Sequence, residues 1–182
     1  MPPLKTIVEG LLFVSDSAVS EETLSQIVEE GVSPEDVLQV IEELNEEYEI
    51  RNRAFAIKRV AGGFQLRTRE ELAPYCLRLK KNAPAKLSKA AMETLAVVAY
   101  RQPVLRAEIE KIRGVDAGGT IRLLLDRNLI RISSRRENLP GRPMLYSTTG
   151  KFLETFELDS LNSLPTIEEI GRITPPKRLK LF

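Results

Sequence analysis

An internal repeat is the feature that most restricts how this 182-residue chain can fold. Two groups of apolar residues in the first half occur again 84 or 85 positions later. The first copy has Val19, Leu24, Ile27, Val37, Val40 and Ile41, and the second has Val104, Ile109, Ile112, Ile121, Leu124 and Leu125. A repeat of this length is typical of a duplicated structural unit. We therefore expect two small domains of roughly 80 residues each rather than one larger domain.

The two copies differ in charge. The first fifty residues contain one Lys and 13 Asp or Glu, a net charge of −12. The remaining 132 residues contain 26 basic and 13 acidic side chains, a net charge of +13. Because the sign of the charge determines which partners a surface attracts, we expect the two copies to have different partners.

The composition predicts a globular protein of the cytoplasm. No apolar run approaches the ~18–20 residues that a membrane span requires. The stretch from Leu4 to Val14 is amphipathic and contains Glu9, which is unlike a secretory signal. Cys76 is the single cysteine and cannot form an internal disulfide, which favours a reducing compartment.

Residue types also weigh against catalysis. The chain contains no histidine, which removes the commonest general base and metal ligand. Gly118-Gly119-Thr120 could hold a phosphate at the start of a helix, but it lacks the spacing and the lysine of a P-loop. Paired acids such as Glu42-Glu43 have no apolar pocket to separate their pKa values. We predict a chain that is not an enzyme and has no catalytic residue, cofactor or metal site.

Local patterns in the first copy predict a winged helix. Apolar spacing and capping residues indicate helices that begin near Leu4, after Ser20 and after Ser33. The apolar period then changes to two around Gly62-Gly63, where both glycines are expected to supply a positive φ. Three helices followed by a β-hairpin form a winged-helix variant of the helix-turn-helix. A connecting helix at 70–80 and a linker at 82–85 are expected to follow.

The second copy repeats this order. Helices are predicted at 88–100, 104–112 and 117–128, strands at 130–132 and 144–148 with a wing loop at 135–143, and a last helix at 150–158. The predicted fold class is mainly α with small β wings, arranged as two tandem winged-helix domains. The predicted boundaries are 1–82 for the N-terminal domain with its connecting helix, 86–165 for the C-terminal domain, and 166–182 for a tail.

The third helix decides whether a winged helix can read DNA, because it enters the major groove. The first copy presents acidic and amide side chains there, namely Glu35, Asp36, Gln39, Glu42, Glu43, Glu46 and Glu47. Phosphates would be repelled by them. A solvated acidic face and a protein contact elsewhere on the domain both remain open. In the second copy Asp126 lies between Arg122 and Arg127, so a solvated basic face, a protein groove and a DNA contact remain open.

Four segments of the second copy resemble the segregation and condensation protein B family. They run from Leu87 to Val104, from Ile112 to Asp116, from Leu139 to Thr149 and over Phe152-Leu153. The resemblance covers about residues 1–165. It implies a tandem winged-helix subunit that binds the kleisin ScpA as a homodimer. It also implies that, with an SMC ATPase bound through the kleisin, the complex condenses and partitions chromosomes at the nucleoid.

The resemblance also implies two binding surfaces. The homodimer contact falls on the N-terminal helix, with Leu4, Ile7, Val8 and Leu11 as candidates. The kleisin contact falls on the C-terminal domain, with Arg101, Gln102, Pro103, Arg113, Gly114, Val115, Leu123, Arg142, Leu145 and Tyr146 as candidates. DNA contact is expected to be weak or indirect, and no membrane contact is expected. A DNA-binding regulator that uses the second domain is the alternative function.

Overall fold

The computed structural model describes residues 2–28, 31–79, 86–166 and 169. Within them, two winged-helix units follow each other along the chain, so the predicted fold class is confirmed. Across the described part of the chain, every helix is too short or too polar to cross a membrane.

The first unit consists of three helices and a β-hairpin. Its elements are α1 (Leu4–Val14), α2 (Glu21–Val28), α3 (Pro34–Ile50), β1 (Phe55–Val60) and β2 (Gly63–Thr68). Helix α3 begins where the sequence predicts. Ser33 Oγ accepts from the Asp36 N–H at 3.1 Å, and the Asp36 carboxylate accepts from the Ser33 N–H at 2.8 Å. This reciprocal pairing satisfies two N–H groups that the first turn leaves without helical partners.

The tip of the first wing uses its two glycines differently. Gly62 has a φ of +72°, as predicted. Gly63 has no positive φ, and a Cβ atom there would lie 2.7 Å from the carbonyl carbon of Val19. The reason is a close approach of two backbones, because Val19 and Phe64 exchange N–H···O bonds of 3.0 and 2.8 Å. The prediction of a positive φ is therefore wrong for Gly63.

A short connection follows the first wing. A 3-10 turn at Glu70–Leu72 leads into α4 (Ala73–Leu79), which lies within the predicted connecting helix. All seven residues of α4 are described, and none of them is buried. The predicted linker at 82–85 lies outside the described residues.

The second unit adds a strand to the same plan. Its elements are α5 (Lys89–Arg101), β3 (Val104–Leu105), α6 (Arg106–Arg113), α7 (Gly118–Asp126), β4 (Ile130–Arg135), β5 (Met144–Thr148) and α8 (Gly150–Thr155). The sheet has the order β3-β5-β4. The sequence predicts a helix from Val104, but Val104 and Leu105 pair with Tyr146 and Leu145 as a strand. The prediction is wrong for these two residues because their backbone groups bond to β5, and the helix begins at Arg106.

Each unit has its own hydrophobic core, and among the described residues the two buried clusters share no member. Equivalent positions of the repeat are buried alike, since Leu24 in α2 and Ile109 in α6 are both fully buried. Another pair of equivalent positions, Ile27 in α2 and Ile112 in α6, faces solvent in both copies. Ile27 is 56% exposed and Ile112 is 55% exposed.

Polar contacts join the first wing to the end of the second unit. Arg67 on β2 donates to the backbone oxygen of Glu154 at 2.7 Å and to the Glu157 carboxylate at 2.9 Å. The Ala61 N–H at the wing tip donates to the Leu158 oxygen at 2.8 Å. The contact between the units is therefore made largely by hydrogen bonds rather than by a shared core.

Candidate protein-interaction surfaces

The predicted dimer candidates lie on both sides of α1. Val8 is fully buried in the first core, so it cannot contact a second chain while the unit is folded. We therefore reassign Val8 from a dimer candidate to a core residue. Leu4 and Leu11 are partly buried and pack against the same core, and Ile7 is partly exposed. Most of the predicted dimer candidates therefore lie on the face of α1 that packs against the core.

The last turn of α1 exposes two apolar residues that the sequence interpretation missed. Phe13 is 79% exposed and Val14 is 75% exposed. Val14 lies one turn beyond Gly10 and two turns beyond Ile7, so these three share an outward stripe of the helix. A signal was present in the sequence, because the run Leu11-Leu12-Phe13-Val14 has four consecutive apolar residues and a single helix face cannot bury all of them.

The outer face of α3 is acidic, as predicted. Glu42, Glu43 and Glu46 are exposed along its middle. Near its end, Glu47 pairs with Lys5 at 2.7 Å and with Arg51 at 2.8 Å. The hydrogen bond from Lys5, with smaller contributions from nearby cations, lowers the pKa of Glu47 from its ordinary value. A helix face with this many carboxylates repels a phosphate backbone.

Two of the predicted kleisin candidates meet at the turn between α5 and β3. Arg101 and Pro103 are exposed and line one cavity of about 350 Å³. Its other lining residues are Val104, Glu108, Lys111, Ile112 and Arg136. The Arg136 guanidinium pairs with Glu108 at 3.6 Å. The lining of this cavity therefore combines three apolar residues with three basic side chains and one acidic side chain.

A second cavity, of about 520 Å³, lies between α6 and the second wing. It is lined by Leu105, Arg106, Ala107, Glu110, Leu139, Pro140, Pro143, Met144 and Tyr146. Tyr146 is 8% exposed, so it forms a wall of this cavity and part of the core at the same time. The two prolines of the wing loop, Pro140 and Pro143, border the cavity. The two cavities lie beside the same helix, α6.

Three of the kleisin candidates have structural roles that explain their residue types. The Gln102 side-chain oxygen accepts from the Thr148 N–H at 2.7 Å, which holds the end of α5 against β5. The Arg113 side chain is 8% exposed and pairs with Glu93 at 3.3 Å. Gly114 ends α6 with a φ of +71°, a conformation that favours glycine.

The remaining candidates are spread over other parts of the unit. Val115, after α6, is 54% exposed, and Leu123 on α7 is 36% exposed. Arg142 is exposed in the wing loop and pairs with Glu137 at 3.2 Å, while Leu145 on β5 is partly buried. None of these four side chains is among the described residues that line the two cavities. Their assignment as contacts stays a prediction.

An apolar groove between α5 and α8 was missed at the sequence level. A cavity of about 260 Å³ is lined by Met92, Leu95, Ala96, Ala99, Tyr100, Phe152, Phe156, Leu158, Leu164 and Pro165. Met92 is 41% exposed and Tyr100 is 39% exposed at its rim. A neighbouring cavity of about 660 Å³ shares Met92 and Phe156 with it. We call the first cavity the α5–α8 groove.

Three observations concern residues that the sequence offers for chemistry. Within the described ranges, His, Cys, Asp and Glu side chains form no group of three that could hold a metal ion. Cys76 is a partly buried free thiol. Gly118 begins α7, and its N–H donates to the Asp116 carboxylate at 3.1 Å. A Cβ atom there would lie 2.9 Å from the guanidinium of Arg106, which is the flexible end of a half-exposed side chain.

The fold places the chain among the tandem winged-helix proteins. The family model described as segregation and condensation complex subunit ScpB matches residues 6–167. The segregation and condensation protein B of Syntrophotalea carbinolica is 44% identical over 179 residues, which cover 98% of this chain and 89% of that protein. The protein of the same name from Moorella thermoacetica is 46% identical over 168 residues, covering 92% and 85%. The chain therefore belongs to the ScpB family.

Solved structures of related proteins were also found. The crystal structure of ScpB from Mycobacterium tuberculosis is 34% identical, covers 84% of this chain and 94% of that chain, and has a TM-score of 0.40. A structure described as a dimer of the ScpB N-terminal domain complexed with ScpA peptide is 35% identical, covers 42% of this chain and 94% of that chain, and has a TM-score of 0.39.

Proposed function

We propose that this chain is a non-catalytic subunit of a bacterial SMC–kleisin complex, which binds the kleisin ScpA as a homodimer. It thereby supports chromosome condensation and partition during cell division, in the cytoplasm and at the nucleoid. Membership of the ScpB family supports the link to segregation and condensation. The SMC ATPase is reached through the kleisin, and ATP hydrolysis belongs to that other subunit.

We propose that the two domains have different roles. Their boundaries are 1–82 and 86–165, and a tail follows at 166–182. The two separate cores support the first boundary, because each unit buries its own apolar residues. The N-terminal domain serves the homodimer and the C-terminal domain serves the kleisin.

The dimer surface is the outward face of α1, with Ile7, Phe13 and Val14, and it leaves Leu4 and Leu11 packed against the core. Phe13 and Val14 lie outside the core of their own unit and are more than 70% exposed. Burying an apolar side chain of this size contributes about 1.5–3 kcal/mol. In a two-fold dimer each such residue is buried twice, once in each copy. The acidic face of α3 repels phosphate-bearing partners from that part of the domain.

The kleisin surface consists of the two cavities beside α6, and this pair of cavities is the observation that carries the proposal. A partner helix binds such a surface by inserting apolar side chains spaced by three or four residues. Pro103, Val104 and Ile112 supply the apolar part of the lining of one cavity, and Arg101 and Lys111 supply positive charge there. Its chemistry fits a segment with apolar anchors and acidic flanking residues.

The repeat supplies a matched pair of variants for the test. Ile112→Glu changes an exposed residue that lines the first cavity, and Ile27→Glu changes its equivalent in the first copy, which is equally exposed. We expect Ile112→Glu to weaken binding of a cognate kleisin fragment about tenfold or more, because a carboxylate replaces an apolar contact and repels the acidic flanking residues of the fragment. Ile27→Glu should stay within about twofold. Titration calorimetry with the full chain gives both values. Equal losses, or a loss with Ile27→Glu alone, would contradict this surface.

A second titration distinguishes the proposed subunit from a DNA-binding regulator. Arg131 and Arg135 are exposed on β4, so a weak contact with a phosphate backbone is chemically reasonable. We expect the chain to bind duplex DNA without sequence preference and to lose that binding as salt is raised. A strong preference for one duplex sequence would favour the regulator instead.

A further inference from the structure

The α5–α8 groove lies where the described chain ends. Leu164 and Pro165 line one side of the groove. The Tyr100 hydroxyl, on the opposite side, donates to the Pro165 oxygen at 2.7 Å. The chain therefore reaches Pro165 while still in contact with the groove. Any segment that follows is tethered at the rim of an apolar surface.

The next residues form a helix-starting arrangement. Thr166 Oγ1 accepts from the Glu169 N–H at 3.2 Å, and the Glu169 carboxylate accepts from the Thr166 N–H at 2.7 Å. This is the reciprocal capping box, in which Thr166 is the N-cap and Glu169 the third helical residue. Pro165 precedes the cap, and the sequence that follows Glu169 contains the apolar residues Ile170 and Ile173.

We propose that the C-terminal segment 167–182 docks on the α5–α8 groove of its own chain through Ile170 and Ile173. Pro165 already lines the groove, and Ile170 and Ile173 follow it by five and eight residues, so the chain is long enough to bring both apolar side chains to the groove. The occupant is the chain's own tail because it is covalently attached at the groove, at an effective concentration in the millimolar range.

Disulfide trapping tests this placement in the full chain. With Cys76→Ser as background, Ala96→Cys supplies a thiol in the groove and Ile170→Cys supplies one in the tail. The control keeps Ile170→Cys and uses Glu93→Cys, whose native side chain lies beside Arg113 and Lys89 rather than in the groove. We expect the Ala96–Ile170 pair to oxidise within one chain about tenfold faster than the control, because docking raises the effective concentration. Equal rates, or a disulfide between two chains detected by mass, would overturn the proposal.

Thiol labelling gives a second measurement that needs no disulfide geometry. In the Cys76→Ser, Ala96→Cys protein, the rate of maleimide labelling reports access to the groove. Ile170→Glu should raise that rate about fivefold or more, since a charged side chain does not stay on an apolar surface. Lys177→Glu, beyond the two prolines, should leave it unchanged. Equal labelling rates in all three proteins would show that the groove is open without the tail. Neither measurement depends on the kleisin, so this proposal can fail while the proposed function holds.

Discussion

The third helices of the two units occupy equivalent positions and differ in almost every exposed feature. Helix α3 has 17 residues and an acidic outer face, whereas α7 has nine residues and exposes Arg122 and Leu123. Their buried positions match, because Val37 and Ile121 are both at most 3% exposed. Duplication has therefore kept the core, which packing restricts, while the surface has diverged. This difference is the physical basis for assigning the two units different partners.

The way each helix begins shows the same divergence. Helix α3 is capped within its own sequence by Ser33 and Asp36. Helix α7 begins after Ala117, which has no capping side chain, and its N-terminal groups are satisfied from neighbouring positions. Asp116 accepts from the Gly118 N–H at 3.1 Å, and Glu110 accepts from the Ala117 N–H at 3.1 Å. The start of α3 can be recognised from the local sequence, whereas the start of α7 depends on side chains that the fold brings to it.

The largest expected effect comes from removing equivalent core side chains. Leu24→Ala and Ile109→Ala each leave a cavity at a fully buried position and should destabilise their unit by about 2–5 kcal/mol. Because the cores are separate, we expect each variant to lower the melting temperature of one unit with little effect on the other. Differential scanning calorimetry measures this. A single transition that both variants lower equally would show that the two units unfold together.

Next in size is the effect of a charge on the outward face of α1. Val14→Glu should convert the homodimer into a folded monomer, because each interface would bury two unpaired carboxylates. We expect the dimer dissociation constant to rise about a hundredfold or more, as measured by light scattering over a dilution series. Ile50→Glu, at a residue of α3 that is 85% exposed, is the matched control and should remain dimeric. A dimeric Val14→Glu protein would move the interface to another surface.

Features that depend on short-range pattern could be predicted from the sequence. The cap at Ser33, the hairpin turn at Gly62 and the wing strands of both units are set by local spacing and residue type. Strand β3 could not be predicted, because two residues after a turn carry no periodic signal of their own. It forms through pairing with β5, which lies 40 residues further along the chain.

The candidate surfaces could be predicted less well than the fold. Apolar spacing identifies the stripe of α1 that contains Val8 but not which side of the helix meets the core. Exposure of Phe13 and Val14 follows from the packing of α1 against α3, which is a tertiary effect. Likewise, Gln102 and Arg113 look like contact residues in a sequence motif, yet their side chains are engaged within the unit.

A smaller effect is expected from the contact between the units. Arg67→Ala removes the hydrogen bonds to the Glu154 oxygen and the Glu157 carboxylate, which should cost about 1–3 kcal/mol of coupling between the units. Arg69→Ala is the matched control, since Arg69 donates to the Arg53 oxygen and Glu49 inside the first unit. Amide exchange should increase at Ala61 and around Leu158 with Arg67→Ala and stay unchanged there with Arg69→Ala. Equal exchange in both variants would mean that other contacts hold the units together.

The smallest expected effect is the pH dependence of the stability that Asp36 gives to the start of α3 and Asp116 to the start of α7. The Ser33 N–H and hydroxyl lower the pKa of Asp36 below its ordinary 3.8, and the Gly118 N–H, with smaller contributions from Arg106, lowers that of Asp116. Because both folded-state pKa values are depressed, the stabilisation is complete above pH 3.8 and is lost as the pH falls through the folded values. Asp36→Asn should therefore lower the melting temperature of the first unit at neutral pH, and Asp116→Asn that of the second. Both differences should shrink as the wild-type carboxyl is protonated in acid. A difference that stays constant with pH would mean that the amide group of asparagine, rather than the lost charge, causes the destabilisation.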